Sequence, residues 1–349
     1  MRRVLVIGAG LAGSRCAETL RAEGFDGDVT VVGDEPHAPY ERPALSKEFL
    51  AGTRDALSLR PDAFWAEQGI ELVLGTRIGH VDLRSRTAHA ADRAFRFDAL
   101  VLATGARARS LPGARTLRTL DDAFALRDEL REARRLAVVG GGFVGAEVAS
   151  TARALGVDVT LIEAAETPFA QTLGPAVGSL LARRWRDHGV DVRTGTREIP
   201  EADVVLAGIG TEPAGDFLGS GPIETDACGR TEIPNVYACG DVAGVEGRRV
   251  EHWTDAAGQA ASVARAILGR TQPYDAAPYF WSDQFGLRLQ FVGDARGWAT
   301  VDLAGAADSF VARYRDTSGR LVAGLAANDP PALPTLRAEL AEAALPSAA

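Results

Sequence analysis

Short apolar runs separated by amphipathic stretches occupy most of this sequence. Residues 3–7 and 28–32 are predicted β-strands on either side of a helix over 11–23, and the apolar run at 99–103 predicts a further strand. Runs that are apolar almost throughout are typical of a parallel sheet that is buried on both faces. A second series of such elements begins with the apolar run at 136–139. The pattern therefore predicts an α/β fold in two successive parts.

The character of the chain changes after Pro273. Helical patterning extends from Trp253 to Leu268, and the glycine that follows suits the end of a helix. Beyond Pro273 the pattern predicts three β-like runs and a last helix, at 287–292, 298–303, 310–314 and 336–344. This mixture of strands and a helix predicts a third, α+β domain at the C-terminal end.

A Gly-x-Gly-x-x-Gly motif follows the first strand of each part. Its glycines are Gly8, Gly10 and Gly13 in the first part, and Gly140, Gly142 and Gly145 in the second. An acid, Asp34 or Glu163, ends the next strand about 20 residues further on. The glycines permit a tight turn and let backbone N–H groups approach a pyrophosphate, while the acid accepts from ribose hydroxyls. Two such loops predict two dinucleotides and electron transfer between them.

The two parts also share a later segment. Residues 98–105 read Asp-Ala-Leu-Val-Leu-Ala-Thr-Gly, and residues 203–210 read Asp-Val-Val-Leu-Ala-Gly-Ile-Gly. Each glycine loop thus has its own closing strand and glycine turn. The internal similarity predicts two related domains.

Composition narrows the function classes. The 349 residues are 46% hydrophobic and 24% charged, with a net charge of −9 that argues against nonspecific nucleic-acid binding. No apolar run reaches the roughly 18 residues of a membrane helix. The apolar run after Arg3 ends in a glycine loop rather than a cleavage site, so we expect no signal peptide and a cytoplasmic location. The three cysteines (Cys16, Cys228 and Cys239) form no Cys-x-x-Cys motif, and we expect neither dithiol chemistry nor a metal site.

The motifs together resemble the flavin-dependent, pyridine-nucleotide-linked ferredoxin reductases of oxygenase systems, which are relatives of glutathione reductase without its redox disulfide. The resemblance covers nearly the whole chain and includes, besides the glycine loops, the segments 33–36, 42–47, 103–105, 117–120, 239–241, 250–253 and 280–284. It implies two Rossmann-like three-layer dinucleotide-binding domains plus a C-terminal α+β domain. We predict an FAD-binding domain at 1–107 and 216–272, an NADH-binding domain at 108–215 and a C-terminal domain at 273–349.

The resemblance also implies which residues bind the cofactors. Non-covalent FAD would be held by Gly8, Gly10, Ala12, Gly13, Asp34, Arg42, Lys47, Ile78, Ala103, Thr104, Gly105, Arg118, Gly240, Asp241, Glu251, His252 and Trp253. The nicotinamide nucleotide would be held by Gly140, Gly142, Phe143, Val144, Gly145, Glu163, Gly208 and Gly210. We expect NADH rather than NADPH, because a 2′-phosphate beside Glu163 would meet a like charge and the next residues provide no arginine.

Lys47 is the one lysine of the sequence. It lies in a short helix expected over 45–50, after a segment in which three prolines disfavour regular structure. The resemblance implies that Lys47 lies near flavin N5 and pairs with Glu147, a helical acid that would otherwise face a packed sheet. Buried acids need a partner. We therefore predict a catalytic Lys47–Glu147 pair that lines the hydride path. The alternative is an exposed lysine and a separately solvated glutamate.

The predicted function is an NADH:ferredoxin oxidoreductase. Electrons would pass from NADH through FAD to a small iron–sulfur ferredoxin that serves an oxygenase. Arg42, Arg288 and Arg313 are candidates for docking this acidic partner, and we expect a monomer or a weak homodimer. The alternatives are transfer to rubredoxin or oxygen, and a redox-sensing flavoprotein like the animal cell-death flavoproteins.

Overall fold

The computed structural model describes residues 2–344, and the chain divides into two units that interleave in sequence. The first unit is formed by Met1–Arg42, Ala56–Arg107 and Thr211–Ala276. The second is formed by Pro43–Asp55, Ala108–Gly210 and Ala277–Ala349. The three-domain division predicted from the sequence stays a prediction.

The secondary structure is as follows. The helices are α1 (Leu11–Ala22), α2 (Ala63–Glu67), α3 (Leu120–Glu132), α4 (Phe143–Ala154), α5 (Gly174–Asp187), α6 (Trp253–Ile267) and α7 (Ala332–Ala344). The strands are β1 (Arg3–Ile7), β2 (Asp28–Val32), β3 (Ile70–Val73), β4 (His80–Asp82), β5 (Thr87–His89), β6 (Ala94–Arg96), β7 (Ala99–Leu102), β8 (Ala106–Ala108), β9 (Arg135–Val139), β10 (Asp158–Glu163), β11 (Asp191–Thr194), β12 (Val204–Ala207), β13 (Thr211–Pro213), β14 (Ile223–Thr225), β15 (Val236–Ala238), β16 (Ala243–Val245), β17 (Tyr279–Gln284), β18 (Leu287–Gly293), β19 (Thr300–Ala306), β20 (Ser309–Arg315) and β21 (Leu321–Ala327). Short 3₁₀ turns lie at Arg42–Ala44 and Gly240–Val242, and a π-helical turn at Leu45–Phe49.

The first unit is built on a parallel sheet with the strand order β15-β7-β1-β2-β3. Its central strand β1 is apolar on both faces because both faces are covered. Val4 and Val6 pack in one buried cluster with helix α1, while Leu5 and Ile7 pack in another with the antiparallel sheet β4-β5-β6. The unit therefore has three layers, helices on one face and a small sheet on the other.

The carboxyl ends of these parallel strands carry the predicted FAD-binding segments. Strand β1 leads to the first glycine loop, β2 to Asp34, β7 to Thr104 and β15 to Gly240. In open α/β sheets ligands bind at this edge.

The second unit contains a parallel sheet of order β11-β10-β9-β12 and an antiparallel sheet of order β17-β18-β21-β20-β19. Helix α7 packs on the antiparallel sheet through Leu336, which is fully buried. Gly324 makes this approach possible, because a Cβ there would lie 2.6 Å from a methyl carbon of Leu336. The C-terminal α+β pattern expected from the sequence is thus an antiparallel sheet covered by one helix.

Some element boundaries differ from those expected from the sequence. The last helix begins at Ala332 instead of residue 336, and Pro334 lies within its first turn, where a missing N–H costs no hydrogen bond. The run predicted at 298–303 is the strand β19, shifted to Thr300–Ala306. The strands at 3–7 and 28–32 are where the pattern predicted them.

Candidate functional site

The first glycine loop is a backbone cradle that only glycine can form at two of its positions. Gly8 has φ +112°, and a Cβ there would lie 2.1 Å from the carbonyl oxygen of Ala103. A Cβ on Gly13 would lie 1.9 Å from the carbonyl oxygen of Gly8. A Cβ on Gly10, in contrast, would meet nothing within 4 Å. The loop is therefore closed against the sheet and open at the beginning of α1.

The open side of this loop has the polarity that a pyrophosphate requires. Gly10 is the N-cap of α1, and no side chain of the described residues caps that helix end. First-turn N–H groups without an intrahelical partner favour an anion. Gly240 closes the loop from β15: its N–H donates to Gln259 Oε1 at 2.9 Å, and a Cβ there would lie 2.9 Å from that of Ala12.

Two charged residues predicted to bind FAD, Asp34 and Arg42, lie in different environments. Asp34, predicted to bind the adenosine ribose, is exposed directly after β2 and Gly33. Arg42 forms an ion pair with Glu35 and donates to the hydroxyl of Tyr40 at 2.8 Å, and that hydroxyl donates to Glu35 at 2.6 Å. Burial alone would lower the Arg42 pKa, but the neighbouring Tyr40, Glu35 and Asp241 raise it above its usual value. Arg42 is thus held as a fixed cation.

Other predicted FAD-binding residues have partners within the first unit. The Thr104 hydroxyl donates to the carbonyl of Ala214 at 2.6 Å, next to Ala103 and Gly105. Glu251 accepts from Thr211 at 2.6 Å. His252 is the N-cap of α6, its Nδ1 lies 3.5 Å from Asp255, and Trp253 is half-buried as the first helical residue. Ile78 is buried in the core. These contacts fix side chains, while their binding roles stay predictions.

The second glycine loop repeats the geometry of the first. Gly140 has φ +102°, and a Cβ there would lie 2.4 Å from the carbonyl oxygen of Gly208. A Cβ on Gly145 would lie 2.2 Å from the carbonyl oxygen of Gly140, whereas one on Gly142 would approach nothing closer than 3.8 Å. A Cβ on Gly210 would also meet nothing within 4 Å. Here too the cradle is closed towards the sheet and open at the N-terminus of its helix, α4.

Glu163 is attached directly to the second loop. Its Oε2 accepts the N–H of Gly141 at 2.9 Å, and its Oε1 accepts the N–H of Ala165 at 2.8 Å. The two bonds fix the carboxylate at the end of β10, beside the glycines. Between Gly142 and Gly145, Phe143 packs against other rings of the second unit while Val144 is 42% exposed.

Lys47 and Glu147 form the contact that the sequence predicted. Lys47 Nζ lies 2.9 Å from Glu147 Oε2, and their side chains are only 12% and 7% exposed. Lys47 lies in the π-helical turn, with φ −120° and ψ −106°, and this break from helical geometry accompanies the turn of its side chain towards α4. Single π-helical turns occur frequently at functional sites. The alternative of an exposed lysine is therefore wrong, while a role in hydride transfer stays a prediction.

Sequence reasoning missed the other partners of Glu147. The hydroxyl of Ser46 donates to Oε2 at 2.5 Å and that of Ser282 donates to Oε1 at 2.8 Å. Ser282 in turn contacts Gln284, whose Oε1 accepts the indole N–H of Trp185 at 2.8 Å. Ser282 and Gln284 lie two residues apart on one buried face of β17. That polar pair on an otherwise packed strand was the one available signal.

Arg118, the last residue predicted to bind FAD, lies before helix α3. Its backbone N–H donates to Asp122 at 2.9 Å, next to the capping box that Thr119 and Asp122 form at the start of that helix.

The three docking candidates all make ion pairs within their own unit: Arg42 with Glu35, Arg288 with Asp283 and Arg313 with Glu339.

Two of the three cysteines are held in the thiol form by burial. All three are free and buried. Burial raises the pKa of Cys16 well above its usual value, with Cys239 adding to the effect, and burial raises the pKa of Cys239 to about 12. Thiols with such pKa values stay protonated, and the thiolate is the reactive form.

Within residues 2–344 no helix is both long and apolar enough to cross a membrane. No group of three or more His, Cys, Asp or Glu side chains in the same range could hold a metal ion.

Comparison with known proteins places this geometry in a family. The model for the pyridine nucleotide-disulphide oxidoreductase family matches residues 2–260, and that for the reductase C-terminal region matches residues 279–349. The chain belongs to the pyridine nucleotide-disulphide oxidoreductase family. Members of this family bind FAD and NAD(H), and the predicted resemblance and fold class are confirmed.

Similar members of the family are named as ferredoxin or putidaredoxin reductases. The chain is 39% identical to the ferredoxin–NAD(+) reductase component of the p-cumate 2,3-dioxygenase system of Pseudomonas putida, over 84% of this chain and 81% of that protein. It is also 39% identical to the 5,5'-dehydrodivanillate O-demethylase ferredoxin reductase subunit of Sphingobium sp., over 83% and 81%. The solved covalent complex of putidaredoxin reductase and putidaredoxin gives a TM-score of 0.93 at 32% identity, over 98% of this chain and 93% of that one.

The residues present fit the two cofactors. Each unit has one open glycine cradle at an uncapped helix N-terminus, as the positions of Gly10 and Gly142 show. Each cradle is followed by a strand that leads to an acid, Asp34 or Glu163. This combination of donors and acceptors matches a pyrophosphate joined to a ribose.

Proposed function

We propose that this protein is an NADH:ferredoxin oxidoreductase that takes electrons from NADH through non-covalent FAD to a small iron–sulfur ferredoxin serving an oxygenase. The names of the similar reductases support this acceptor, since both name ferredoxin and one belongs to a dioxygenase system. FAD, when bound, accepts a hydride from NADH and can release its electrons one at a time.

One observation carries the choice of acceptor. The described residues form two dinucleotide cradles, while all three cysteines are buried and none forms a disulfide, and burial raises the pKa of Cys16 and of Cys239. A disulfide reductase needs a thiolate that exchanges with its substrate. Without one, the electrons must leave the flavin directly, and this suits a one-electron acceptor such as an iron–sulfur protein.

In this proposal the first unit holds FAD. The N–H groups at the beginning of α1 bind the pyrophosphate, and the exposed carboxylate of Asp34 accepts from the adenosine ribose. Asp241 follows a buried strand and accepts from a ribityl hydroxyl. The N-terminus of α6, which begins at Trp253, contributes a partial positive charge for the negative charge that reduction adds.

The second unit holds the nicotinamide nucleotide, and Glu163 sets its preference for NADH. Its carboxylate is fixed beside the loop by the N–H groups of Gly141 and Ala165. An adenine ribose placed over the loop offers hydroxyls to this carboxylate, whereas a 2′-phosphate brings a second negative charge. Ala164 is exposed and provides no cation to compensate.

Lys47 and Glu147 have catalytic roles in this proposal. Glu147 lies in the helix that begins at the second loop, and it holds the ammonium group of Lys47 in one place. A fixed cation orients the nucleotide and excludes loosely bound water. The low exposure of both side chains preserves the strength of this interaction.

The three arginines predicted to dock a partner are all engaged in ion pairs. Arg42, Arg288 and Arg313 each have a carboxylate partner, so an acidic ferredoxin would have to compete with that carboxylate at all three positions. We propose that the protein acts as a monomer or a weak homodimer, and that docking uses the flavin edge rather than these three side chains.

The proposal is tested by stopped-flow reduction of the purified flavoprotein. NADH should bleach the flavin absorbance much faster than NADPH, and the reduced protein should pass electrons to at least one ferredoxin in a small panel. Rapid turnover with rubredoxin or oxygen but with no ferredoxin would show that the proposed acceptor is wrong. Slow reduction with a long-lived charge-transfer band and a change in assembly would favour a redox sensor.

A further inference from the structure

A chain of buried hydrogen bonds connects Lys47 to helix α5. It runs from Lys47 to Glu147, then through Ser282 and Gln284 to Trp185. Ser282 and Trp185 are fully buried, and Gln284 is 2% exposed. The members come from all three stretches of the second unit, and the C-terminal stretch provides two of them, Ser282 and Gln284.

The indole of Trp185 fixes the direction of this chain. An indole N–H can only donate, so the side-chain atom of Gln284 that lies 2.8 Å from it must be the carbonyl oxygen. The amide nitrogen of Gln284 then faces Ser282 Oγ at 3.2 Å and donates to it. The single hydroxyl proton of Ser282 is left to donate to Glu147 Oε1 at 2.8 Å.

The two carboxylate oxygens of Glu147 accept hydrogen bonds from different donors. Oε2 accepts from both Lys47 and Ser46, while Oε1 accepts from Ser282. A carboxylate free to rotate could exchange its oxygens and carry the ammonium group with it. The donor on Oε1 opposes that rotation, and a buried acceptor left without this donor would also lose its compensation for burial.

We propose that Ser282, oriented by Gln284, is a positioning residue that fixes the Glu147 carboxylate and through it the ammonium group of Lys47. The antiparallel C-terminal sheet thereby sets the geometry of a residue in the 43–55 segment. The relevance of this positioning to hydride transfer rests on the function proposed above. The positioning itself can be measured without turnover.

The single lysine makes the measurement specific. Growth on lysine labelled with ¹³C at the ε-carbon gives the flavin-loaded protein one labelled side chain, Lys47. Its resonance reports the environment of the ammonium group directly. The rate at which an acylating reagent modifies the ε-amine, followed by peptide mass spectrometry, reports how long that group leaves its partner.

The test compares Ser282→Ala with Ser150→Ala. Ser150 lies on the same helix as Glu147 and accepts the N–H of Phe285 at 2.7 Å, so its removal also deletes one hydrogen bond without touching the carboxylate. Ser282→Ala should shift or broaden the Lys47 resonance and raise its acylation rate by about tenfold, the ratio expected for losing a hydrogen bond to a charged group. Ser150→Ala should leave both unchanged.

A second variant covers the case in which Ser282→Ala fails to fold. Gln284→Met keeps the Ser282 hydroxyl but removes the donor that orients it, and should raise the acylation rate by a smaller factor than Ser282→Ala. A Lys47 resonance and acylation rate unchanged in the folded variants would overturn the proposal.

Kinetics separate this proposal from the proposed function. If Ser282 positions Lys47, flavin reduction by NADH slows in Ser282→Ala while FAD retention matches that of Ser150→Ala. Slow reduction of every form including the unaltered protein, with the resonance still displaced by Ser282→Ala, would refute the proposed function and keep the positioning role.

Discussion

The two glycine loops have the same backbone but different surroundings. Gly8 and Gly140 have φ values of +112° and +102°, and a Cβ on either would collide with the backbone of a neighbouring strand end. Gly10 and Gly142 are open N-caps with nearly identical dihedral angles. Local backbone sterics therefore give the same cradle twice.

The difference begins two residues beyond the last glycine. In the first loop that position is Arg15, which is half-buried and pairs with Glu18 in its own helix. In the second it is Glu147, which is buried and paired with Lys47. The cradle is a generic binding element, whereas the helix that follows it decides whether reactive side chains are brought near.

The largest expected effect comes from replacing the first glycine of a loop, which both loops have in the same conformation. Gly8→Ala places a methyl group 2.1 Å from the Ala103 carbonyl in a conformation that L-residues rarely adopt, so the first loop cannot close. We expect protein purified without yellow colour. Gly140→Ala should retain FAD but raise the KM for NADH by at least about tenfold, because the same distortion affects only the second loop. Absorbance spectra and steady-state kinetics measure both.

Gly24 and Gly156 provide matched controls for these two variants. They follow α1 and α4 with φ values of +89° and +87°, yet a Cβ on either would meet nothing within 4 Å. Gly24→Ala and Gly156→Ala should therefore cost only about 1 kcal/mol of folding free energy and leave both cofactors bound. If Gly8→Ala keeps its flavin as firmly as Gly24→Ala, the cradle assignment is wrong.

The sequence predicted the part of the site that depends on local geometry. A glycine motif after an apolar strand requires only neighbouring residues, so Gly8, Gly140 and the strands before them could be placed from the pattern. The Lys47–Glu147 contact joins residues 100 positions apart and came from resemblance rather than periodicity.

The partners behind that contact could not be placed in the same way. Ser282 reaches Glu147 across 135 positions, and nothing local marks a serine on a strand as a donor to a distant helix. The ion pairs of Arg288 with Asp283 and of Arg313 with Glu339 likewise leave no pattern in the sequence. Long-range polar contacts need the assembled fold.

Glu147 occupies the position, two residues after the last glycine, at which the two loops differ. Glu147→Gln removes the charge that pairs with Lys47 and leaves a largely buried ammonium group uncompensated. We expect the stability to fall by about 3 kcal/mol and flavin reduction by NADH to slow by more than about tenfold. Chemical denaturation and stopped-flow absorbance measure these two changes.

Arg15→Gln is the counterpart of this variant in the first loop. It removes a partly exposed ion pair between residues three apart in one helix, and should change stability by less than about 0.5 kcal/mol with no effect on reduction. Equal kinetic effects at the two positions would mean that the helices after the loops do not differ in function.

At the acids we expect a change of cofactor choice and not a loss of activity. Replacing Glu163 with Ser and Ala164 with Arg should raise kcat/KM for NADPH relative to NADH by about 30-fold, because a like charge is removed and an arginine can pair with the 2′-phosphate. Asp34→Ser is the counterpart on the first unit: it should weaken FAD retention and leave the nucleotide preference unchanged. An unaltered preference in the Glu163 variant would refute its ribose-binding role.

The smallest expected effect is at Asp98 and Asp203, the first residues of the two similar segments 98–105 and 203–210. Asp98 accepts from the side chain of Arg3 and from the backbone at the beginning of β1, and these bonds lower its pKa. Asp203 accepts from the N–H groups of Arg134 and Arg135, which lower its pKa without a side-chain partner. A depressed pKa in the folded state adds stability above the unfolded pKa of about 3.9, and this stability is lost as the pH falls below it.

Asp98→Asn and Asp203→Asn should therefore each lower the melting temperature at pH 7 and have a smaller effect at pH 3, where the unaltered protein has lost part of the same stabilisation. Both sites are solvent-accessible, so each shift should be at most a few degrees. Asp98→Asn should have the larger effect because it also loses the Arg3 ion pair, which high salt weakens. Thermal melts across pH and salt concentration would show this order. The reverse order would mean that the backbone hydrogen bonds, common to both aspartates, dominate over the charge that distinguishes them.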